Sequence, residues 1–271
     1  MKLRIYSSIL FSLLLVSCST TKKTSISDEL PDDKLVMAVA WYQHSAEMAA
    51  LYYQGFNIAR ERLDEAVELN KTGNSLAVVV DIDETMLDNS PFETILMNNA
   101  SFSKSWKDWT AKSAAKPLPG ALEFAKYAQS KNVDIFYITN RDDSDRGSTL
   151  LNLQKVGFPY STEDHLFTKS DPSASTGNTS SKAGRRAKVA EKHEIILLIG
   201  DNLNDFSEMF EDRKSNGGKV AVARNREDFG RKFIVLPNPM YGAWEKPLFD
   251  YREGLSEKEK TQLLRSKLKG E

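Results

Sequence analysis

The sequence predicts an α/β fold, a parallel sheet with helices on both faces. Two observations carry this. Leu76–Val80, Val133–Ile138 and Ile195–Ile199 are almost continuous apolar runs of strand length, as expected for strands buried on both sides. Segments of helical periodicity alternate with them along the chain, which is the pattern of crossover connections between parallel strands.

The chain has 271 residues, room for one large domain or two small ones. Its start stands apart from the rest. Lys2 and Arg4 precede an apolar run from Ile9 to Val16, broken only by Ser12 and closed by Ser17 and Cys18. This is the layout of a secretory leader, and the run is too short to span a membrane comfortably. Residues 1–17 therefore read as a signal peptide. Cutting by an ordinary signal peptidase would leave Cys18 incidental. Cys18, the one cysteine of the chain, also stands where a bacterial lipobox places its acylated residue. On that reading its acyl chains tether the mature protein to a membrane of the cell envelope. Ser19 beside it points to the outer membrane in a Gram-negative host. A single cysteine forms no internal disulfide, so stability must come from the core and any bound metal. Residues 18–30 are polar and rich in Ser and Thr, and read as a flexible tether. A folded domain follows over 31–271.

Pro31-Asp32-Asp33 opens a helical stretch to about Leu69, with Gly55 its one glycine. The periodicity fits one long helix or two abutting ones. The first strand is 76–80. Residues 91–119 read as irregular or helical and end at Pro117-Leu118-Pro119-Gly120. A helix is expected over 121–130, the second strand over 133–138 and helical structure over 143–156. A Ser/Thr/Gly-rich loop fills 170–181 and a helix 182–193. The third strand is 195–199, with a helix at 204–211. Short strands are expected at 219–223 and 233–236, and an amphipathic charged helix at 256–269.

Ligands of such sheets sit at the carboxyl ends of the strands. The first strand ends in Asp81-Ile82-Asp83-Glu84-Thr85, the second in Thr139-Asn140-Arg141, the third in Gly200-Asp201-Asn202-Leu203-Asn204-Asp205. Asp81, Asp83, Asp201 and Asp205 then converge at one edge, where they repel unless a cation joins them. Oxygen donors of this kind select a hard ion such as Mg²⁺. An isolated Asp-x-Asp is more often a turn or cap. A calcium loop is excluded, since it needs Asp, Gly and Glu where Thr85, Met86 and Phe92 stand.

The ordered set of these strand ends resembles the haloacid dehalogenase superfamily, and within it the bacterial class C acid phosphatases, lipoproteins with four characteristic aspartates. The likeness includes residues 41–47, 81–91, 200–206, 233–238, Tyr241-Gly242 and Trp244-Glu245. It implies a haloacid-dehalogenase-type Rossmannoid sheet over about 74–240. A smaller, mainly helical cap would come from 31–73, 91–119 and 240–271. It implies that Asp81 is the nucleophile, forming an aspartyl-phosphate, and that Asp83 is the general acid and base. Mg²⁺ would be held by Asp81, the main-chain carbonyl of Asp83, and Asp201, with Asp205 orienting a lysine or a metal-bound water. Thr139, Asn140 and a lysine would hold the phosphate oxygens. Lys155, Lys169 and Lys188 compete for that role; Lys182 is preferred, because it opens a helix in a Lys-x-x-Arg context with Arg185. Trp106 and Tyr241 would clamp the leaving group, though by pattern alone both read as core residues. The implied substrates are 5′-nucleotides, nicotinamide mononucleotide and aryl phosphates.

Other phosphatase chemistries fit poorly. No cysteine is placed to serve as a phosphocysteine nucleophile, no His is followed by Gly, and His44, His165 and His193 are scattered and read as surface or packing residues. A formal net charge of -1 argues against a nucleic-acid partner. Small phosphomonoesters are the expected partners, besides the membrane reached through Cys18. The sequence does not set the oligomeric state, and a homodimer is compatible with it. Two alternatives share the fold: phosphotransfer to an alcohol, and a surface-binding lipoprotein without turnover, against which intact Asp81 and Asp83 argue.

Overall fold

The structure is a computed structural model that describes residues 34–71, 73–97, 101–171 and 180–270. The leader, Cys18, the tether, the helix start at Pro31–Asp33 and most of the loop at 170–181 lie outside the described residues. Among the described residues no helix is long and apolar enough to cross a membrane.

The chain opens with two abutting helices, α1 (Lys34–His44) and α2 (Ala46–Leu69). Ser45 separates them: its hydroxyl accepts the Met48 N–H at 3.1 Å and caps α2. Strand β1 (Leu76–Val80) follows, then a flap of two-residue strands, β2 (Leu87–Asp88) and β3 (Lys116–Pro117), paired antiparallel. Between them lie α3 (Ser90–Leu96) and α4 (Phe102–Ala111). Helix α5 (Ala121–Ser130), β4 (Asp134–Ile138), α6 (Arg146–Val156) and the short β5 (Leu166–Phe167) come next. The chain then runs through α7 (Ala183–Ala190), β6 (Glu194–Gly200), α8 (Lys219–Arg224), β7 (Phe233–Val235) and α9 (Glu257–Lys267).

Five strands form one sheet in the order β5-β4-β1-β6-β7, every pair parallel. Its two faces are both buried, so alternate residues of one strand enter different cores. Val78 and Val80 of β1 join the core shared with α2 and α5, which includes Phe56, Leu63 and Phe124. Ala77 and Val79 join the opposite core with Phe136, Val189, Phe206, Phe210 and Phe233. This is why the strands read as continuous apolar runs. Fully burying one Val or Leu side chain contributes about 1.5–3 kcal/mol. α2 lies against α5, β6 and β7, so this first long segment forms a layer on the sheet. Gly55 permits that approach: a Cβ there would sit 2.6 Å from a Leu236 methyl.

Two expected elements are corrected. Residues 219–223 form α8, not a strand. Gly217 (φ 63°) and Gly218 (φ 86°) turn the chain just before it, β7 takes the edge beside β6, and the helix lays Ala221 and Val222 onto the second core. The helix expected at 204–211 is two separate 3₁₀ turns, Leu203–Asp205 and Glu208–Phe210. Asn202 and Ser207 each cap their own turn with a side-chain oxygen, which breaks the run.

α2 also anchors the loop after β1. Tyr42 and Tyr52 hydroxyls meet at 2.5 Å, and Tyr52 donates to the Glu84 carbonyl at 2.5 Å. Glu84 adopts a left-handed φ of 57°, and its carboxyl accepts the Asn89 N–H at 2.7 Å. Burial, with Asp83 and Asp201 nearby, holds the Glu84 carboxyl well above the usual carboxylate range. This fixes the sharp turn that separates Asp81 from the start of α3.

Candidate active site

β1 is the central strand, and β4 and β6 flank it. Their carboxyl ends therefore deliver Asp81, Thr139 and Asp201 side by side. The Asp81 N–H continues the ladder to the Ile199 carbonyl at 2.9 Å, so the nucleophile candidate stands on rigid sheet backbone. Carboxylate oxygens of Asp81, Asp201 and Asp205 lie within 4.8 Å of one another. Asp205 reaches the group because Gly200 leaves room: a Cβ there would fall 2.3 Å from an Asp205 carboxylate oxygen. The Asn202 N–H donates to Asp205 at 3.0 Å, and the Asn238 amide to Asp201 at 2.8 Å.

Lys182 is the cation among them. It is buried, pairs with Asp81 and lies 2.7 Å from Asp205. Burial works against its ammonium, but Asp205 and Asp81 outweigh this and raise its pKa above the usual lysine value. Desolvation pushes the Asp81 carboxyl up to about 7, with Lys182 opposing and Asp205 and Asp83 adding to the rise. Asp201 is raised well above the usual range, first by desolvation and then by Asp205 and Asp81. Three close carboxylates with one ammonium leave negative charge uncompensated. Hard oxygen donors and that excess charge fit a divalent ion at Asp81, Asp201 and Asp205.

The Asp83 carboxylate is not in this cluster. It turns to Arg141, whose Nη2 and Nε donate to Oδ1 at 2.7 and 3.0 Å. The Asn89 amide donates to it at 2.7 Å and the Thr139 hydroxyl at 3.3 Å. A metal contact from this residue would thus come from its main chain. Thr139 is buried, and its carbonyl is bound by Arg185. Asn140 is held from both ends: Arg185 donates to its oxygen at 2.7 Å, and its amide donates to the Ser180 carbonyl at 3.2 Å. Arg141 and Asn89 carry no assignment in the sequence reading. Both had a signal: Arg141 stands directly after Thr139 and Asn140, and Asn89 lies within the motif at 81–91.

A cleft of about 550 Å³ opens from these residues and is walled by Phe92, Phe102, Trp106 and Tyr241. Trp106 is half-buried, edge-on to Phe92 at 4.9 Å and parallel to Phe102 at 6.3 Å. The Arg141 guanidinium lies over its ring at 5.3 Å. Trp106 thus lines the cleft on Phe92 and Phe102, and Tyr241 lines it while packing on the first core. Of the competing lysines, Lys169 lines the cleft too, whereas Lys188 pairs with Glu191 on α7. The histidines stay away: His193 pairs with Asp134 at the start of β4, His165 stacks on Phe136, and His44 is exposed at the end of α1.

Residues 12–244 match the sequence model of the haloacid dehalogenase superfamily, subfamily IIIB (acid phosphatase). The chain belongs to this family. The fold is that of a solved class C acid phosphatase from Bacillus anthracis, which superposes with a TM-score of 0.79 at 40% identity, covering 88% of this chain and 98% of that one. A second structure of that enzyme, with tungstate bound, gives a TM-score of 0.79 at 38% identity over the same shares. Acid phosphatase 1 of Solanum lycopersicum is 25% identical over 183 residues, 65% of this chain and 62% of that protein, so the chain spans about three-fifths of its length.

The carboxylate cluster of Asp81, Asp201 and Asp205 predicts a pH signature of stability. Asp81 titrates near 7 in the folded chain and near 3.8 when exposed. Between those values the folded state holds a proton that the unfolded state has released, so stability falls as pH rises through the window. Asp201 shifts in the same direction. The Tm of metal-free protein should fall from pH 5 to pH 7.5, and Mg²⁺ should raise it more at pH 7.5 than at pH 5. A Tm that rises with pH over this range, or an equal Mg²⁺ shift at both values, would contradict the cluster as described.

Proposed function

We propose that the chain is an exported, lipid-anchored, Mg²⁺-dependent acid phosphatase that hydrolyses phosphomonoesters through an aspartyl-phosphate on Asp81. The observation that carries this is the Asp81 carboxylate, held at the end of the central strand by Lys182, among acids and open to an aromatic cleft. The tungstate complex of a similar chain supports the reading, because tungstate is a tetrahedral oxyanion of phosphate's shape.

Asp81 attacks phosphorus in line. A dication at Asp81, Asp201, Asp205 and the Asp83 main chain would neutralise charge on nucleophile and phosphate. Lys182 and the Thr139 hydroxyl face the equatorial oxygens and stabilise the charge that develops there. Because Arg185 and Ser180 occupy the Asn140 side chain, its contact with an oxyanion would come from the main chain. Asp83 protonates the leaving oxygen and then takes a proton from the water that hydrolyses the intermediate. To do so it must leave the two-nitrogen grip of Arg141. The Arg141 pair thus stores Asp83 between turnovers, and Asn89, fixed by Trp109 at 2.8 Å, shapes the same pocket.

The substrates we assign are 5′-nucleotides, nicotinamide mononucleotide and aryl phosphates, whose flat leaving groups suit Trp106 and Tyr241. Stacking on such faces contributes about 1–3 kcal/mol per base in nucleic-acid binders. Acylation of Cys18 would hold the enzyme on the envelope, in the outer membrane of a Gram-negative host.

Three experiments test this proposal. Wild-type protein should release phosphate from 5′-nucleotides and 4-nitrophenyl phosphate with Mg²⁺ and lose turnover in excess chelator. In Asp83→Asn the burst of released alcohol should fall at least about tenfold further, or roughly 1.4 kcal/mol in the barrier, for the nucleotide than for the aryl ester, whose leaving group needs less proton donation. Equal burst rates in the variant on both esters would remove Asp83 from the acid role. Cys18→Ala should abolish metabolic labelling with fatty acid and leave the precursor unprocessed at this site. Labelling equal to the parent's would refute the anchor.

A further inference from the structure

Glu93 has no part in the chemistry above, yet it lines the same cleft. It sits on α3, one helical turn after Asn89, and Asn89 is tied to Asp83, Glu84 and Trp109. The position of Glu93 is therefore coupled to the catalytic loop. The residue is only 6% exposed. Among the described residues no hydrogen bond or ion pair holds its carboxylate. Its neighbours along the cleft wall are Phe92, Leu96, Trp106 and Tyr241. A second acid faces it from the turn after Tyr241: Glu245, whose carboxylate accepts the Gly242 N–H at 3.2 Å. Burial and then Glu245 push the Glu93 carboxyl up to about 7.

A buried carboxyl without a partner destabilises a fold, so a structural acid would be expected to carry a hydrogen bond or a paired cation. The cleft's buried cations do not supply one. Arg141 is committed to Asp83, and Lys182 to Asp81 and Asp205. The cleft is thus divided. Its deep end holds the Lys182 ammonium and the Arg141 guanidinium. Its outer wall offers aromatic faces with an acid set among them. Aromatic faces and a desolvated carboxylate both attract a cation.

We propose that Glu93 is a specificity-determining residue that selects phosphomonoesters whose leaving group carries a cationic nitrogen. The inference rests on the phosphatase reading and adds to it a preference that Asp81, Asp83 and Lys182 do not set. Glu93 touches no reacting atom in this scheme. It pairs with the leaving group's cation when the ester lies against Trp106 and Tyr241, and the alcohol departs with that charge unchanged.

The test compares kcat/KM for two esters of equal size, tyramine phosphate and 4-propylphenyl phosphate, on the full protein with Mg²⁺ at pH 8, above the Glu93 pKa of about 7. Wild type should prefer the amine by about tenfold or more, equivalent to about 1.4 kcal/mol. Glu93→Gln keeps the shape and removes the charge. It should bring the ratio to within about twofold of unity, with the loss falling on the amine. Glu93→Leu should reverse the preference. Glu123→Gln, which removes an exposed acid on α5, should keep the wild-type ratio and so separates a local pair from the general field of the protein. A wild-type ratio near one overturns the inference and leaves the phosphatase reading standing. So does a Glu93→Gln variant that loses both esters equally, which would make Glu93 a packing residue. No turnover of either ester by wild type overturns the phosphatase reading itself, and the inference with it.

Discussion

The buried ammonium of Lys182, wedged between Asp81 and Asp205, is the contact around which the rest of the site is arranged. Asp81, Asp201 and Asp205 would otherwise stand in mutual repulsion at the end of a sheet with little water to screen them. Removing one partner from a buried pair leaves a charge uncompensated and costs about 3–5 kcal/mol. The surroundings serve to hold this ion where it is. Lys182 begins α7, and Arg185, one turn on, ties that helix to the Thr139 carbonyl and to Asn140. Gly200 clears the space through which Asp205 reaches inward. The parallel order β4-β1-β6 brings the three strand ends together. One lysine cannot balance three acids, and the remaining negative charge makes the site a place for a divalent ion.

Charge is also divided within the Asp-x-Asp loop. Asp81 points into the cluster, whereas Asp83 is drawn off to Arg141, Asn89 and Thr139. Two carboxylates two residues apart thereby sit in different fields. One is crowded by acids and tempered by an ammonium, the other is neutralised by a guanidinium. A nucleophile and a proton carrier need that difference. The turn that follows them is held by the buried Tyr42 and Tyr52 of another layer and by the loop's own Glu84 carboxyl. The helix α2, outside every catalytic motif, thus fixes the geometry of the loop.

How much of this was legible in the sequence depended on whether a residue's neighbours lay along the chain. β1, β4 and β6 were readable because strands buried on both faces must be apolar throughout, and their acidic ends marked the edge where ligands gather. Lys182 could be preferred over Lys155, Lys169 and Lys188 from its place at a helix start, and the structure sets its ammonium on Asp81. β2, β3 and β5 were missed because two-residue strands have no period to detect; their pairing is set by partners far along the chain. Residues 219–223 misled because Lys-Val-Ala-Val-Ala suits either state and only the occupied sheet edge decides. The grip of Arg141 on Asp83 spans 58 residues of sequence, and no local pattern announces it. Glu93 was silent for the same reason: on an isolated helix its acid would read as solvated.

The central claim is that Asp81 itself accepts the phosphoryl group. The direct measurement is rapid acid quench during turnover of 4-nitrophenyl phosphate with Mg²⁺, followed by peptide mapping by mass spectrometry. The account predicts one phosphoryl group on the peptide that contains Asp81, stable in acid, labile to hydroxylamine, and absent from Asp81→Asn. Phosphate found on a serine or on another aspartate, or a labelled Asp81→Asn protein that still turns over, would contradict it.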